Sequence, residues 1–199
     1  MIAPYRESGI VLDIGTGDGR FVSASAKMNP AIFYIGIDAN AKPLEKLSTK
    51  ATRKPAKGGL PNAIFVQAAV EDLPQEFTGI ASEIDVNFPW GSLLRAVATG
   101  DQNVLESFRR VLRPDGSLTV TIGVDPTRDR TELERLNIPE LNDAYVDAEL
   151  RSNYSLAGFD MVESRWLERS EWSKIETSWA RKLSGNDERK VLCLRFVRE

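Results

Sequence analysis

The run Gly9-Ile10-Val11-Leu12, followed by Asp13-Ile14-Gly15-Thr16-Gly17-Asp18-Gly19, constrains this chain more than any other stretch. The apolar residues read as a buried strand, which breaks at once into G-x-G-x-G before a helical segment from Arg20 to Met28. Such a junction brings backbone close to a ligand, because a Cβ at Gly15 or Gly17 would collide with it. In dinucleotide enzymes the turn faces an anionic pyrophosphate, where a carboxylate at the mouth is unfavourable. Asp13 and Asp18 suit a ligand with a cationic end instead. The glycine pattern is also compatible with a tight turn that holds no ligand.

Ala31 to Asp38 reads as a second buried strand ending in a carboxylate. Asp38 lies nineteen positions after Gly19, where such folds place the acid that accepts both ribose hydroxyls. The same carboxylate could serve the N-terminus of the following helix. A ribose acid beside an acidic turn matches S-adenosylmethionine, which carries an ammonium and a sulfonium. A third strand, Ala63 to Ala68, leads to Ala69, Val70 and Glu71, where an adenine ring is expected at the sheet edge. Glu71 and Asp72 are also compatible with a helix-capping pair, Asp72 more so than Glu71. A fourth strand, Glu83 to Asn87, ends at Phe88-Pro89-Trp90, where the reacting group must meet the methyl; Asn87 joins the cofactor set.

Elements alternate along the chain. A helix is expected from Ala41 to Lys54 and another from Asp101 to Leu112, stopped by the turn Pro114-Asp115-Gly116. A fifth strand follows at Ser117 to Ile122, then a polar loop over 123–145 and a helix near Val146 to Ala157. The last strands fall at Asp160 to Leu167 and Lys190 to Val197, around a Trp-rich insert. This order implies an α/β fold with a mostly parallel sheet and helices on both faces. The chain of 199 residues fits one domain, with 123–145 and 168–189 as substrate-recognition inserts.

Composition removes several chemistries. There is no histidine, which excludes Ser-His and Cys-His catalysis, and Cys193 is the only cysteine, so an N/S-type zinc site is not expected. Cys193 sits in an apolar strand and reads as core. No run of 18 apolar residues and no signal-peptide layout is present, so a cytoplasmic protein is expected. Methyl transfer to a nitrogen with an available lone pair needs no imidazole.

The block Asn87-Phe88-Pro89-Trp90-Gly91-Ser92-Leu93-Leu94 resembles the aminoglycoside-resistance methyltransferases that modify N1 of an adenine in the 16S rRNA decoding site. So do Asp13 to Gly19, Lys54-Pro55-Ala56-Lys57-Gly58-Gly59-Leu60-Pro61-Asn62, and Glu176-Thr177-Ser178-Trp179. The resemblance spans nearly the whole chain and implies a Rossmann-like class I fold with a seven-stranded sheet. It implies S-adenosylmethionine as cofactor, no metal, and the 30S subunit as substrate, modified at adenine 1408. It also implies that Trp90 and Trp179 hold the flipped adenine between them, with the cofactor against Asp13, Gly15, Asp38 and the Ala69–Glu71 segment. Family members carry a longer N-terminal extension, with a small hairpin, than the eight residues that precede Gly9 here.

The physics of base capture agrees with that reading. A base methylated at N1 must leave its helix and be held in plane, which two aromatic faces accomplish. Trp179 could instead be core, since Trp172, Ile175, Trp179 and Leu183 recur at helical spacing. Trp166 reads as core. Overall charge is balanced, 26 basic against 29 acidic residues, yet 42–57 holds six basic residues and one acidic. At about 100° per residue, Lys46, Lys50 and Arg53 share a face with Lys42. Lys54 and Lys57 continue it, and Arg95, Arg181 and Lys182 extend it around the target base. The alternative for this patch is an ordinary solvated surface.

The expected protein is thus a monomeric S-adenosylmethionine-dependent 16S rRNA adenine-N1 methyltransferase. Two alternatives stand beside it: tRNA guanine-N7 methylation, whose family shares an Asn-Phe-Pro…Trp pattern, and a non-catalytic S-adenosylmethionine-binding ribosome assembly factor. The tRNA family has a charged run after its tryptophan, whereas Gly91-Ser92-Leu93-Leu94 follows here.

Overall fold

The computed structural model describes residues 2–183 and 189–199. Its strands are β1 (Ile10–Ile14), β2 (Phe33–Asp38), β3 (Ala63–Gln67), β4 (Ala81–Asn87), β5 (Leu112–Val124), β6 (Phe159–Leu167) and β7 (Lys190–Arg198). They form one sheet in the order β3-β2-β1-β4-β5-β7-β6. All neighbours are parallel except β7, which runs antiparallel to both β5 and β6. This is the seven-stranded, mostly parallel α/β sheet expected. β1 is buried along its whole length, as a central parallel strand must be, which is why it reads as a continuous apolar run.

Helices cover the sheet. The first four are α1 (Arg20–Met28), α2 (Ala41–Ala51), α3 (Gly91–Thr99) and α4 (Gln102–Val111). The β5–β6 connection holds α5 (Arg130–Arg135), α6 (Asp143–Tyr145), a π turn (Val146–Leu150) and α7 (Arg151–Leu156). The β6–β7 connection holds α8 (Arg169–Trp172) and α9 (Ser178–Leu183); residues 184–188 of the insert expected there lie outside the described residues. Alternate residues of the central strands (Leu12, Ile84, Val120, Leu194) meet α3, α4 and α7 in the main core. On the other face α1 packs Val22 and Ala26 against Val11 and Tyr34. No helix among the described residues is long and apolar enough to cross a membrane.

Several expectations about the elements need correction. The helix expected to reach Lys54 ends at Ala51, because Pro55 forces Lys54 out of the helical region, to φ −58° and ψ 142°. The chain then doubles back: Leu60 N donates to Ala51 O at 2.9 Å, and a Cβ on Gly59 would lie 1.7 Å from Arg53 O. Asn62 closes this block, its buried Nδ2 reaching the carbonyls of Ala26, Asn29 and Ile32. The turn at Pro114-Asp115-Gly116 does not precede the fifth strand but bulges within it. The ladder begins at Ala81↔Leu112 and resumes at Glu83↔Ser117, with Asp115 at φ 59°. Helix α3 was not expected at all. Its start at Gly91 follows Pro89, and such breakers mask the apolar spacing of Leu94 and Val97.

Trp166 is half-buried rather than core. Its indole N–H donates to Asp143 Oδ1 at 2.8 Å, and Lys190 lies over its ring. Cys193 is half-buried on β7, and burial pushes its thiol up, away from nucleophilic character.

Candidate active site

Sheet order reverses direction between β1 and β4, and at such a switch point loops diverge and leave a crevice. The carboxyl ends of β1 to β4 open there onto a cavity of about 320 Å³. Asp13, Gly15, Gly17, Asp38, Ala69, Val70, Glu71 and Asn87 all line it, as do Trp90 and Trp179. Residues far apart in sequence meet because each follows, or ends, a different parallel strand.

The glycine turn is shaped by two different needs. Gly15, at φ 75°, sits against Leu93, and a Cβ there would lie 2.6 Å from the Leu93 Cδ2. Its glycine answers to protein packing, not only to ligand approach as expected. Gly17, at φ 55°, has nothing within 4 Å of its missing Cβ, so open space faces it. Asp38 Oδ2 accepts from Gly17 N at 2.9 Å, and its Oδ1 accepts from Asn40 N at 2.9 Å. Asp38 therefore ties the turn to the start of α2 and also borders the cavity.

Asp13 is 2% exposed, and burial lifts its carboxyl to about 6. Thr16 Oγ1 and Asn87 Nδ2 are themselves buried with no hydrogen-bond partner in the protein. A buried carboxylate, two unsatisfied polar atoms and an open glycine on one cavity wall fit the polar, cationic methionine end of S-adenosylmethionine. Asp18, expected to serve the same cation, also lines the cavity and pairs with Arg20 at 2.7 Å.

The tryptophans are mounted by the segment after β4. Phe88 has φ 50°, a strained value for a non-glycine residue. The twist turns Phe88 inward, where it is buried edge-on against Trp172, ring centroids 6.3 Å apart. Trp90 is left 38% exposed. Trp179, on α9, is also 38% exposed and lies over Trp90, centroids 5.6 Å apart and planes 20° from parallel. The core stripe exists, but without Trp179: Trp172 and Leu183 are buried, with Ile175 packed beside them. A break between α8 and α9 rotates Trp179 out of that stripe.

The basic residues divide into two groups. Lys46, Lys50, Arg53, Lys54 and Lys57 are exposed, and no ion pair holds them among the described residues. Arg53, Lys54 and Lys57 follow α2 rather than lie on it. Arg95 is exposed on α3, whereas Arg181 pairs with Glu176 at 2.8 Å and Lys182 Nζ lies 5.1 Å from the Trp179 ring centroid. One contact escaped the sequence: Arg189, next to β7, donates to Asp129 Oδ2 at 2.6 Å and to Gly123 O at 2.9 Å. This buried pair joins the two long connections. Nothing local signals it, because the partners are sixty positions apart.

The comparisons with known proteins agree with this geometry. The family model described as NpmA: 16S rRNA (adenine(1408)-N(1))-methyltransferase matches residues 3–197. A 16S rRNA (adenine(1408)-N(1))-methyltransferase of Streptoalloteichus tenebrarius is 39% identical over 186 residues, covering 93% of this chain and 85% of that protein. The crystal structure of the aminoglycoside resistance methyltransferase NpmB1 superposes with a TM-score of 0.87 at 49% identity, covering all of this chain and 90% of that one. A tryptophan-to-alanine variant of the Catenulisporales acidiphilia enzyme, solved with its cosubstrate SAM, gives 0.89 at 34% identity, covering 98% and 89%. A tRNA (guanine-N(7)-)-methyltransferase of Clostridioides difficile matches less of itself, 30% identical over 157 residues, or 75% of this chain and 66% of that protein. From fold, cavity and relatives together, this chain belongs to the 16S rRNA (adenine(1408)-N(1))-methyltransferase family.

Proposed function

We propose that the protein is a single-domain, monomeric, cytoplasmic enzyme that methylates N1 of adenine 1408 of 16S rRNA within the 30S subunit, conferring aminoglycoside resistance. The observation that carries this reading is the pair of exposed, stacked tryptophans at the mouth of a cavity walled by a buried carboxylate. A non-catalytic assembly factor has no need of such an aromatic pair beside a methyl-donor site.

Asp13, Thr16 and Asn87 would hold the methionine end of S-adenosylmethionine, Asp38 the ribose, and Ala69 to Glu71 the adenine. When bound, it supplies a methyl group already activated on a sulfonium. The remaining work falls to this chain. Trp90 and Trp179 clamp the extruded base by its faces, which leaves the N1 lone pair in plane, aimed into the cavity, and keeps water away. N1 carries no proton to be removed, so no general base is needed. Positioning supplies the acceleration, as befits a chain without histidine.

Asp38→Ala is expected to weaken S-adenosylmethionine binding by about 1.5–3 kcal/mol, the scale of a hydrogen bond to a charged group. Calorimetric titration of the folded variant measures it, and unchanged affinity would remove Asp38 from the ribose. The unpaired cations at 46–57 would meet rRNA phosphates. Neutralising Lys46, Lys50 and Lys54 together should weaken 30S binding and flatten its salt dependence, since fewer counterions are released. S-adenosylmethionine affinity should not change. Equal binding and an equal salt slope would reduce these lysines to solvated surface.

Methyl incorporation from labelled S-adenosylmethionine tests the substrate. Label in the rRNA of purified 30S subunits supports the proposal. Label in tRNA alone would favour guanine-N7 chemistry, and none in either the assembly-factor alternative.

A further inference from the structure

Asp13 and Asp85 stand side by side on neighbouring strands, paired in register between β1 and β4. Leu12, Ile14, Ile84 and Val86 point into the main core, so alternation sends both carboxyls to the opposite face. Parallel strands lie about 4.8 Å apart, so the two side chains are neighbours on that face. Both are closed to solvent, Asp13 at 2% exposure and Asp85 at 9%. By the same register and alternation, Tyr34 and Asp38 of β2, Glu83 and Asn87 of β4, and Cys193 and Arg195 of β7 lie on that face, with Thr16 of the turn close to Asp13. Arg195 is the one cation of this set, and it acts on Glu83. Thr119, the register partner of both Asp85 and Arg195, stands between them.

Two buried carboxylates that neighbour each other on one face, without a cation of their own, resist ionising together. We propose that Asp13 and Asp85 form a proton-sharing dyad in which Asp85 holds the proton and donates it as a hydrogen bond, keeping the Asp13 carboxylate ionised for the cationic end of the cofactor. Asp85 is thus a positioning residue that acts through Asp13, and its role rests on the cofactor reading above. Burial raises both groups, Asp13 to about 6 and Asp85 well above the usual carboxylate range, with Glu83 and then Asp13 raising Asp85 further.

The dyad makes two pH responses run in opposite directions. Below about pH 6 Asp13 takes up a second proton. The anionic charge is then lost, and cofactor affinity falls by up to about tenfold per pH unit. The cofactor-free fold behaves otherwise. Its carboxyls titrate above their unfolded values, so their stabilising contribution is full below about pH 4 and declines as pH rises through the folded values.

Two measurements on the full-length protein test this. Infrared difference spectra of cofactor-free wild type and Asp85→Asn, at pH 7.5, report the carbonyl stretch of a protonated carboxyl group. Calorimetric titration with S-adenosylmethionine from pH 5 to 8 compares wild type, Asp85→Ala and Asp85→Asn. The protonated-carboxyl band should be present in wild type and missing in Asp85→Asn. Asp85→Ala should lose roughly tenfold in affinity at pH 7.5, as for one hydrogen bond to a charged group. Asp85→Asn, which keeps a donor, should restore most of that loss. Absence of the band with intact cofactor binding overturns the dyad alone. Equal damage in Asn and Ala variants also overturns it, because charge rather than a donated proton would then matter. Should Asp85→Ala fail to fold, the band and the Asn variant still decide. Failure of wild type to bind S-adenosylmethionine at any pH would overturn the cofactor reading, and the dyad's role with it.

Discussion

Replacing Trp90 or Trp179 by Ala is expected to lower methylation of 30S subunits by roughly 5- to 150-fold at each position, the equivalent of about 1–3 kcal/mol per base–aromatic stack. Phe keeps a smaller face, so activity should fall in the order Trp, Phe, Ala. S-adenosylmethionine affinity should change little, because the indoles cover the cavity mouth rather than its carboxylate wall. Thermal melting should also change little, since each indole is 38% exposed. The rings now stack on each other at 5.6 Å, closer than the roughly 7 Å that a base between two faces requires. One indole must therefore move to admit the base. A folded, fully active Trp179→Ala protein would end the clamp, and the base would be held some other way.

Trp172→Ala should show the opposite pattern. Trp172 is 1% exposed, edge-on to Phe88, and packs with Ala180, Leu183 and Val191 beneath the tryptophan-bearing segments. Truncating it should cost about 3–5 kcal/mol of stability by leaving a cavity. Both mounts rest on this cluster: Phe88 precedes Pro89-Trp90, and Ala180 follows Trp179. Activity should fall together with the melting temperature, and lowering the assay temperature should recover part of it. Denaturant unfolding and methylation, measured on one preparation, separate this variant from Trp179→Ala. A stable Trp172→Ala protein with unaltered activity would show that the cluster does not position the clamp.

These two tryptophans mark how far the sequence could be read. Strand ends carry short motifs, so Asp13, Asp38, Ala69 and Asn87 could be assigned to one sheet edge, and all line one cavity. Helical spacing could not separate Trp172 from Trp179, because the break between α8 and α9 depends on tertiary packing rather than on period. The sequence sets Asp18 beside Asp13 but does not show that burial separates them: Asp13 is buried, and Asp18 pairs with Arg20 in solvent. The Lys-Gly-Gly-Leu-Pro-Asn block was legible as a family signature, yet its reason lies in Asn62 joining the ends of α1 and β2. The Arg189–Asp129 pair and the register of Asp13 with Asp85 are long-range contacts, which no local pattern encodes.

The position of the methyl group on the rRNA tests the central claim most directly. A methyl on adenine N1 blocks the Watson–Crick edge, so reverse transcription halts at the modified base. After incubation of 30S subunits with the protein and S-adenosylmethionine, a strong stop should map to adenine 1408. It should weaken with Trp179→Phe, weaken further with Trp179→Ala, and be absent without S-adenosylmethionine. A stop at another nucleotide, or methylated 16S rRNA with no stop at 1408, would contradict the account.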